Sequence, residues 1–192
     1  MDFWKHLKTV CYHRHLVMIG CFKVGLYKQG LLHDFSKFSP AEFWVGMKYF
    51  QGNQSPNNAE RNAIGYSSAW LHHKGRNKHH YEYWLDYSTR AIPGGIAPAP
   101  MPLKYVAEMV MDRIAACKVY NHGQYSNDTA LKYYQSGKDP APIHQDTRQL
   151  LEELLKMLAD KGEEATFRYI KMLLRESRTK RLRRESRTKR LF

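Results

Sequence analysis

The sequence predicts an all-α protein: one helical domain over residues 1–174 and a basic tail over residues 175–192. Three observations carry this. Apolar residues recur at three- and four-residue spacings along most of the chain, helix start and stop signals bracket those stretches, and no segment shows the alternation or β-branched enrichment of strands.

Asp2 is placed to cap a first helix that carries Phe3, Leu7, Val10, Cys11, Met18, Ile19 and Phe22 and stops near Gln29-Gly30. Ser39-Pro40-Ala41-Glu42 then reads as an N-cap serine, a proline at the first helical position and a glutamate closing a capping box, starting a second helix that runs to about Phe50. Gly52 to Asn58 is loop by composition, and a third helix is expected from Ala59 to about Lys74. Gly75-Arg76-Asn77 breaks it before a short aromatic helix from His79 to Tyr87. Ile92 to Pro102 holds too much proline and glycine for a helix interior. Further helices are expected at Leu103–Tyr120, from about Thr147 to Lys161, and from about Glu163 into the tail.

Composition narrows the classes. With 192 residues, 43% of them hydrophobic, and 8 Phe, 4 Trp and 13 Tyr, the chain can bury a core, which excludes global disorder. The cysteines Cys11, Cys21 and Cys117 are odd in number and form no CxxC pair, so no disulfide framework is expected and a reducing cytoplasm fits. The most apolar window, Leu16 to Tyr27, holds Lys23 and is far shorter than the ~20 residues that cross a bilayer. Neither a membrane span nor a secretory signal is expected.

The net charge is +13, of which the nine Lys/Arg and two Glu of residues 175–192 contribute +7. Within that tail Arg175–Arg183 recurs almost unchanged as Arg184–Phe192. At ~100° per residue, nine residues put successive copies on opposite helix faces, so Leu182 and Leu191 form no stripe and a membrane-bound amphipathic helix is disfavoured. The tail reads as a solvated extension or as an arm for nonspecific contact with nucleic acid.

Ten histidines are more informative. His15 is expected on an inward face with Cys11, Met18, Ile19 and Phe22, where an imidazole needs a polar partner or a metal. His33-Asp34 sets a nitrogen and a carboxylate ligand side by side, with Lys37 one turn on to hold an anionic oxygen. His72-His73 and His79-His80 flank a glycine break that can turn one member of each pair to a common centre. Asp112 falls on an apolar helix face, where a carboxylate demands an arginine or a metal.

The ordered set His15, His33-Asp34, the two histidine pairs and Asp112 resembles the HD-domain superfamily of metal-dependent phosphohydrolases. The strings CFKVGLYKQGLLHDFSKFSPAEF and WLHHKGRNKHHYEYW are similar, over roughly residues 1 to 172, to a family of small bacterial and phage proteins of unknown function. The resemblance implies an HD-like bundle in which His15, His33, Asp34 and Asp112 hold a divalent metal (Mn, Fe, Co, Mg or Zn), Asp34 bridging where two ions bind. His73 and His80 would complete the second site, although spacing alone does not choose within each pair. Lys37, His72, His79 or Glu82 are then left for charge stabilisation and proton transfer, and Lys37, Lys74, Arg76 and Lys78 for binding a small phosphorylated substrate. Two alternatives share parts of this pattern: an HD-like di-iron oxygenase and a non-catalytic helical nucleic-acid-binding module.

Overall fold

The computed structural model describes residues 2–121, 123–137 and 142–188, with side chains up to residue 182. Eight helices are present in it: α1 (Phe3–Val24), α2 (Tyr27–Leu32), α3 (Pro40–Lys48), α4 (Pro56–Ile64), α5 (Ser68–Lys74), α6 (Leu103–Tyr120), α7 (Thr129–Ser136) and α8 (Gln145–Thr188). The all-α expectation holds, with one small addition. Leu85–Tyr87 (β1) and Ile96–Pro98 (β2) form an antiparallel hairpin, Asp86 opposite Ala97.

The Asp2 cap forms, its carboxylate accepting from Lys5 N at 3.0 Å. Helix α1 stops earlier than its periodicity suggested, because Gly25 adopts a left-handed conformation (φ 85°) that returns its N–H to the last turn. The buried stripe of α1 is His6, Val10, His13, Val17, Gly20 and Val24, a strict alternation of four- and three-residue steps. Gly20 is where α1 and α6 come closest: a Cβ there would lie 2.8 Å from Met111 Sδ. Beneath α1 and α6 runs α8, whose Leu151, Leu154, Leu155, Leu158 and Ile170 are completely buried with Val17, Val106 and Val110.

Four local expectations are corrected. The helix foreseen over residues 59–74 is two helices, split at Gly65 (φ 84°) and restarted by Ser67, whose hydroxyl accepts from Trp70 N. The aromatic helix foreseen at 79–87 is a single 3-10 turn, Tyr81–Trp84, leading into β1, because the Trp84 carbonyl is taken by Ala99 N across the hairpin. Ser39 caps α3 by position only. Glu42 closes no capping box and turns instead to His72 and His73. Helix α7 was not foreseen, although Asp128 stands at its N-cap position.

Gly162 (φ 77°, ψ 176°) leaves helical geometry and divides α8 at the foreseen point between Lys161 and Glu163. Beyond it the backbone is helical through Thr188, and every residue from Arg175 to Leu182 is exposed. The tail beyond Thr188 lies outside the described residues. Among the described residues no helix is long and apolar enough to cross a membrane.

Candidate metal centre

Five segments converge on one carboxylate. Asp34, 1% exposed, sits between α2 and a 3-10 turn in the left-handed conformation (φ 51°), the only non-glycine residue described there with positive φ. An aspartate tolerates that geometry at a modest cost, and such strain persists where the surroundings over-determine it. Here the clamp is Arg14: its Nε donates to the His33 carbonyl at 2.7 Å and its Nη2 to the Leu31 carbonyl at 3.1 Å, while its guanidinium lies over Phe35 and Phe38.

The two oxygens of Asp34 face two different sets of ligands. Oδ1 is 3.2 Å from His73 Nε2 and 3.3 Å from His79 Nε2, and His73 Nε2 is itself 2.9 Å from His80 Nε2. Oδ2 is 3.5 Å from His33 Nε2 and 3.7 Å from His13 Nε2, with Asp112 Oδ1 2.9 Å from His13. The ligand atoms of Asp34, His73, His79 and His80 lie within 4.8 Å of one another, as do those of His13, His33, Asp34 and Asp112. Ligands ~2.1 Å from a common ion stand ~3.0–3.4 Å apart, so these spacings need little adjustment. These buried groups can hold a metal ion.

Three of the imidazoles are oriented from behind. Glu108 Oε1 is 3.0 Å from His33 Nδ1 and 3.3 Å from His79 Nδ1, one ring from each set, and Glu42 Oε2 is 2.7 Å from His73 Nδ1. A carboxylate at Nδ1 draws the ring proton there and leaves Nε2 as a lone-pair donor. Five inward atoms, His13 Nε2, His33 Nε2, His79 Nε2 and both oxygens of Asp34, are buried without a well-directed hydrogen bond. That pattern fits atoms shaped for a cation.

Charge points the same way. Four carboxylates, Asp34, Asp112, Glu42 and Glu108, belong to the cluster, and one ammonium, Lys37 Nζ, lies 2.6 Å from Asp34 Oδ2. Burial works against the ionised form of Asp34, but His33, Lys37 and His73 hold its carboxyl well below the usual range. Burial likewise opposes charge on His79, yet Asp34 and Glu108 raise it to about 10. His33 and His73 are raised by Asp34 against the same burial, whereas burial and the neighbouring His79 and His73 push His80 well down. An excess of buried carboxylate is thus balanced by protons on imidazole, a balance divalent cations can supply instead.

Set against the expectations, His33, Asp34, His73, His80 and Asp112 are all in the cluster. His15 is not: it lies exposed on α1, and His13 takes the position foreseen for it. Two residues are ~200° around a helix, so an inward face centred on Cys11 and His15 was the outward one. His79, expected to carry a proton, is a member of the Asp34–His73–His80 set. His72 instead bonds Glu42 Oε1 at 2.6 Å.

A cavity of about 700 Å³ opens beside the cluster, lined by His13, Asp34, His73, His80 and Asp112. Its cations are Lys37, Arg113 and Lys132. Lys74, Arg76 and Lys78 do not line it: Arg76 binds the His72 carbonyl on the exposed side and Lys78 lies over Tyr83. Glu82 does line it, with Oε2 buried and unpartnered.

Glu42, Glu108, Arg113 and His13 were missed. The stripe from His6 to Val24 was a usable signal for His13, and the four-residue step from Glu108 to Asp112 was one for Glu108. Glu42 was concealed by its match to a capping box.

No curated protein and no solved structure matches the chain. Residues 2–157 match the model of a family of unknown function, DUF5662, a span that contains every residue of the cluster. The chain belongs to that family, DUF5662.

Proposed function

We propose that the protein is a metal-dependent phosphohydrolase acting on a small phosphorylated compound, in which Asp34 would serve both sets of metal ligands. The observation that carries this reading is the division of Asp34: one oxygen serves His73, His79 and His80, the other His13, His33 and Asp112. The resemblance to HD phosphohydrolases supports it, with His13 in place of His15. Divalent ions bound there would supply a Lewis acid for a phosphoryl oxygen and acidify a water molecule.

The protein's own groups have distinct tasks. Glu42 and Glu108 would hold the Nδ1 proton of His73, His33 and His79, so that the proton displaced by an incoming ion is the one on Nε2. Lys37 holds Asp34 Oδ2 and places positive charge at the cavity floor, where charge develops on a phosphoryl group. Glu82, whose Oε2 has no hydrogen bond in the cavity wall, is available to carry a proton to the leaving oxygen. Carboxamides of Asn53, Gln54, Asn57 and Asn58 line the outer wall and suit a polar, uncharged body on the substrate. Among the described residues none beyond 174 lines this cavity, so contact with nucleic acid through the basic helix is a separate property.

Protein purified without chelator or metal resin, analysed for metal and assayed with Mn, Fe, Co, Mg and Zn on a panel of phosphoesters and nucleotides, tests the reading. Phosphate release that disappears in Asp34→Ala is expected. Iron content with oxygen consumption and no phosphate release would overturn hydrolysis in favour of the oxygenase alternative.

A further inference from the structure

Among the described residues, one cation of the cavity has no carboxylate partner. Lys37 Nζ lies 2.6 Å from Asp34 Oδ2, and Lys132 Nζ lies 2.6 Å from Asp128 Oδ2. Arg113 has no such partner among the described residues. Its Nε is buried without a hydrogen bond, its Nη2 meets the Met109 sulfur at 3.9 Å, and its guanidinium stands 5.5 Å from the Tyr134 ring centre. The neighbouring carboxylate of Asp112 is engaged by His13 and His33 instead.

A buried guanidinium donor without an acceptor is costly, and the cost is recovered when an anion arrives. The Tyr134 ring supports the positive charge without offering an anion in competition. Small side chains one turn on, Ala116 and Cys117, also line the cavity beside it. The guanidinium is a planar fork that matches two oxygens of one phosphoryl group, which a lysine ammonium cannot do.

We infer that Arg113 is the receptor for the anionic oxygens of a phosphoryl group entering the cavity, in place of Lys74, Arg76 and Lys78. As a substrate contact Arg113 rests on the phosphohydrolase reading; as an anion site it stands without that reading.

Calorimetric titration of the full-length protein with inorganic phosphate, both as purified and after chelator treatment, tests the assignment without turnover; acetate serves as the planar control. Arg113→Met removes the fork while keeping the alkyl packing, and Arg113→Lys keeps the charge without the fork. Wild-type protein is expected to bind phosphate, Arg113→Met to bind it about tenfold to a hundredfold more weakly, and Arg113→Lys to fall between. Metal content should match wild type in both. If Arg113→Met fails to fold, Arg113→Lys decides: weakened binding supports the fork and unchanged binding overturns it. The assignment is also overturned if Arg113→Met binds phosphate as wild type does, if wild type binds none, or if acetate binds as tightly. Absence of turnover on every phosphoester, with phosphate affinity still lost in Arg113→Met, would sink the hydrolase reading and leave the anion site standing.

Discussion

Glu108 offers a sharp test of how the centre is wired, because a single oxygen serves both sets of ligands. Oε1 lies 3.0 Å from His33 Nδ1 and 3.3 Å from His79 Nδ1. Glu108→Gln preserves the shape and removes the charge, lowering the basicity of one imidazole in each set. An amide N–H turned toward either ring would also force the proton onto Nε2, the nitrogen that binds the ion. Losing such an orienting carboxylate weakens a metal site about tenfold to a hundredfold, or ~1.4–2.7 kcal/mol. Both sites should therefore weaken together.

Glu42→Gln provides the contrast. Glu42 reaches His73 in one set and His72, which belongs to neither, so only the site holding His73, His79 and His80 should weaken. The assay is chelator competition against Mn- or Co-loaded protein, with metal per chain counted at each step. Two weakened sites in Glu108→Gln and one in Glu42→Gln are expected. Affinities unchanged within about twofold in Glu108→Gln, or equal losses at both sites in Glu42→Gln, would refute the wiring.

Three further outcomes are expected. His13→Ala should remove the ion held with His33 and Asp112, whereas His15→Ala, on the exposed face of α1, should leave metal content unchanged. Leu155→Ala, emptying a fully buried position, should cost about 2–5 kcal/mol in urea unfolding. His6 lies against Gly46 and the rings of Phe43 and Phe50, and burial with the nearby Lys37 lowers its pKa to about 4. The native ring stays neutral while the unfolded one takes a proton near its ordinary value of 6.5, so stability is full above that pH and falls as pH drops toward 4. Allowing for solvent screening, that is about 1–2 kcal/mol. His6→Gln should abolish this part of the acid sensitivity, and identical urea midpoints from neutral to acid pH in wild type and variant would contradict it.

Much of the scaffold was legible in the sequence because it depends on local rules. The Asp2 cap, the limits of α6 and the break at Gly162 each follow from neighbours within one turn. The chemistry was legible where residue type alone is unusual: His33-Asp34, the paired histidines and the stranded carboxylate of Asp112. What failed depended on phase or on distant partners. A two-residue error in the phase of α1 exchanged His13 for His15. The hairpin arises from pairing between separated segments, such as Ala99 N to the Trp84 carbonyl, whereas the division of α4 from α5 had a local signal in Gly65 and Ser67 that was passed over. That Arg113 lines the cavity and Lys74, Arg76 and Lys78 do not depends on how separate segments pack, which charge alone does not reveal.

The spread of the cage along the chain has a consequence for the whole molecule. His13, Asp34, His73 and Asp112 belong to segments that meet only once α1, α5 and α6 have docked, so a short peptide could not reproduce the arrangement. Any occupant would tie together loops of tens of residues, and its affinity would be added to the free energy of folding. Ion supply would then govern how long the polypeptide survives proteolysis as much as what it does, the occupied centre serving as a reversible staple.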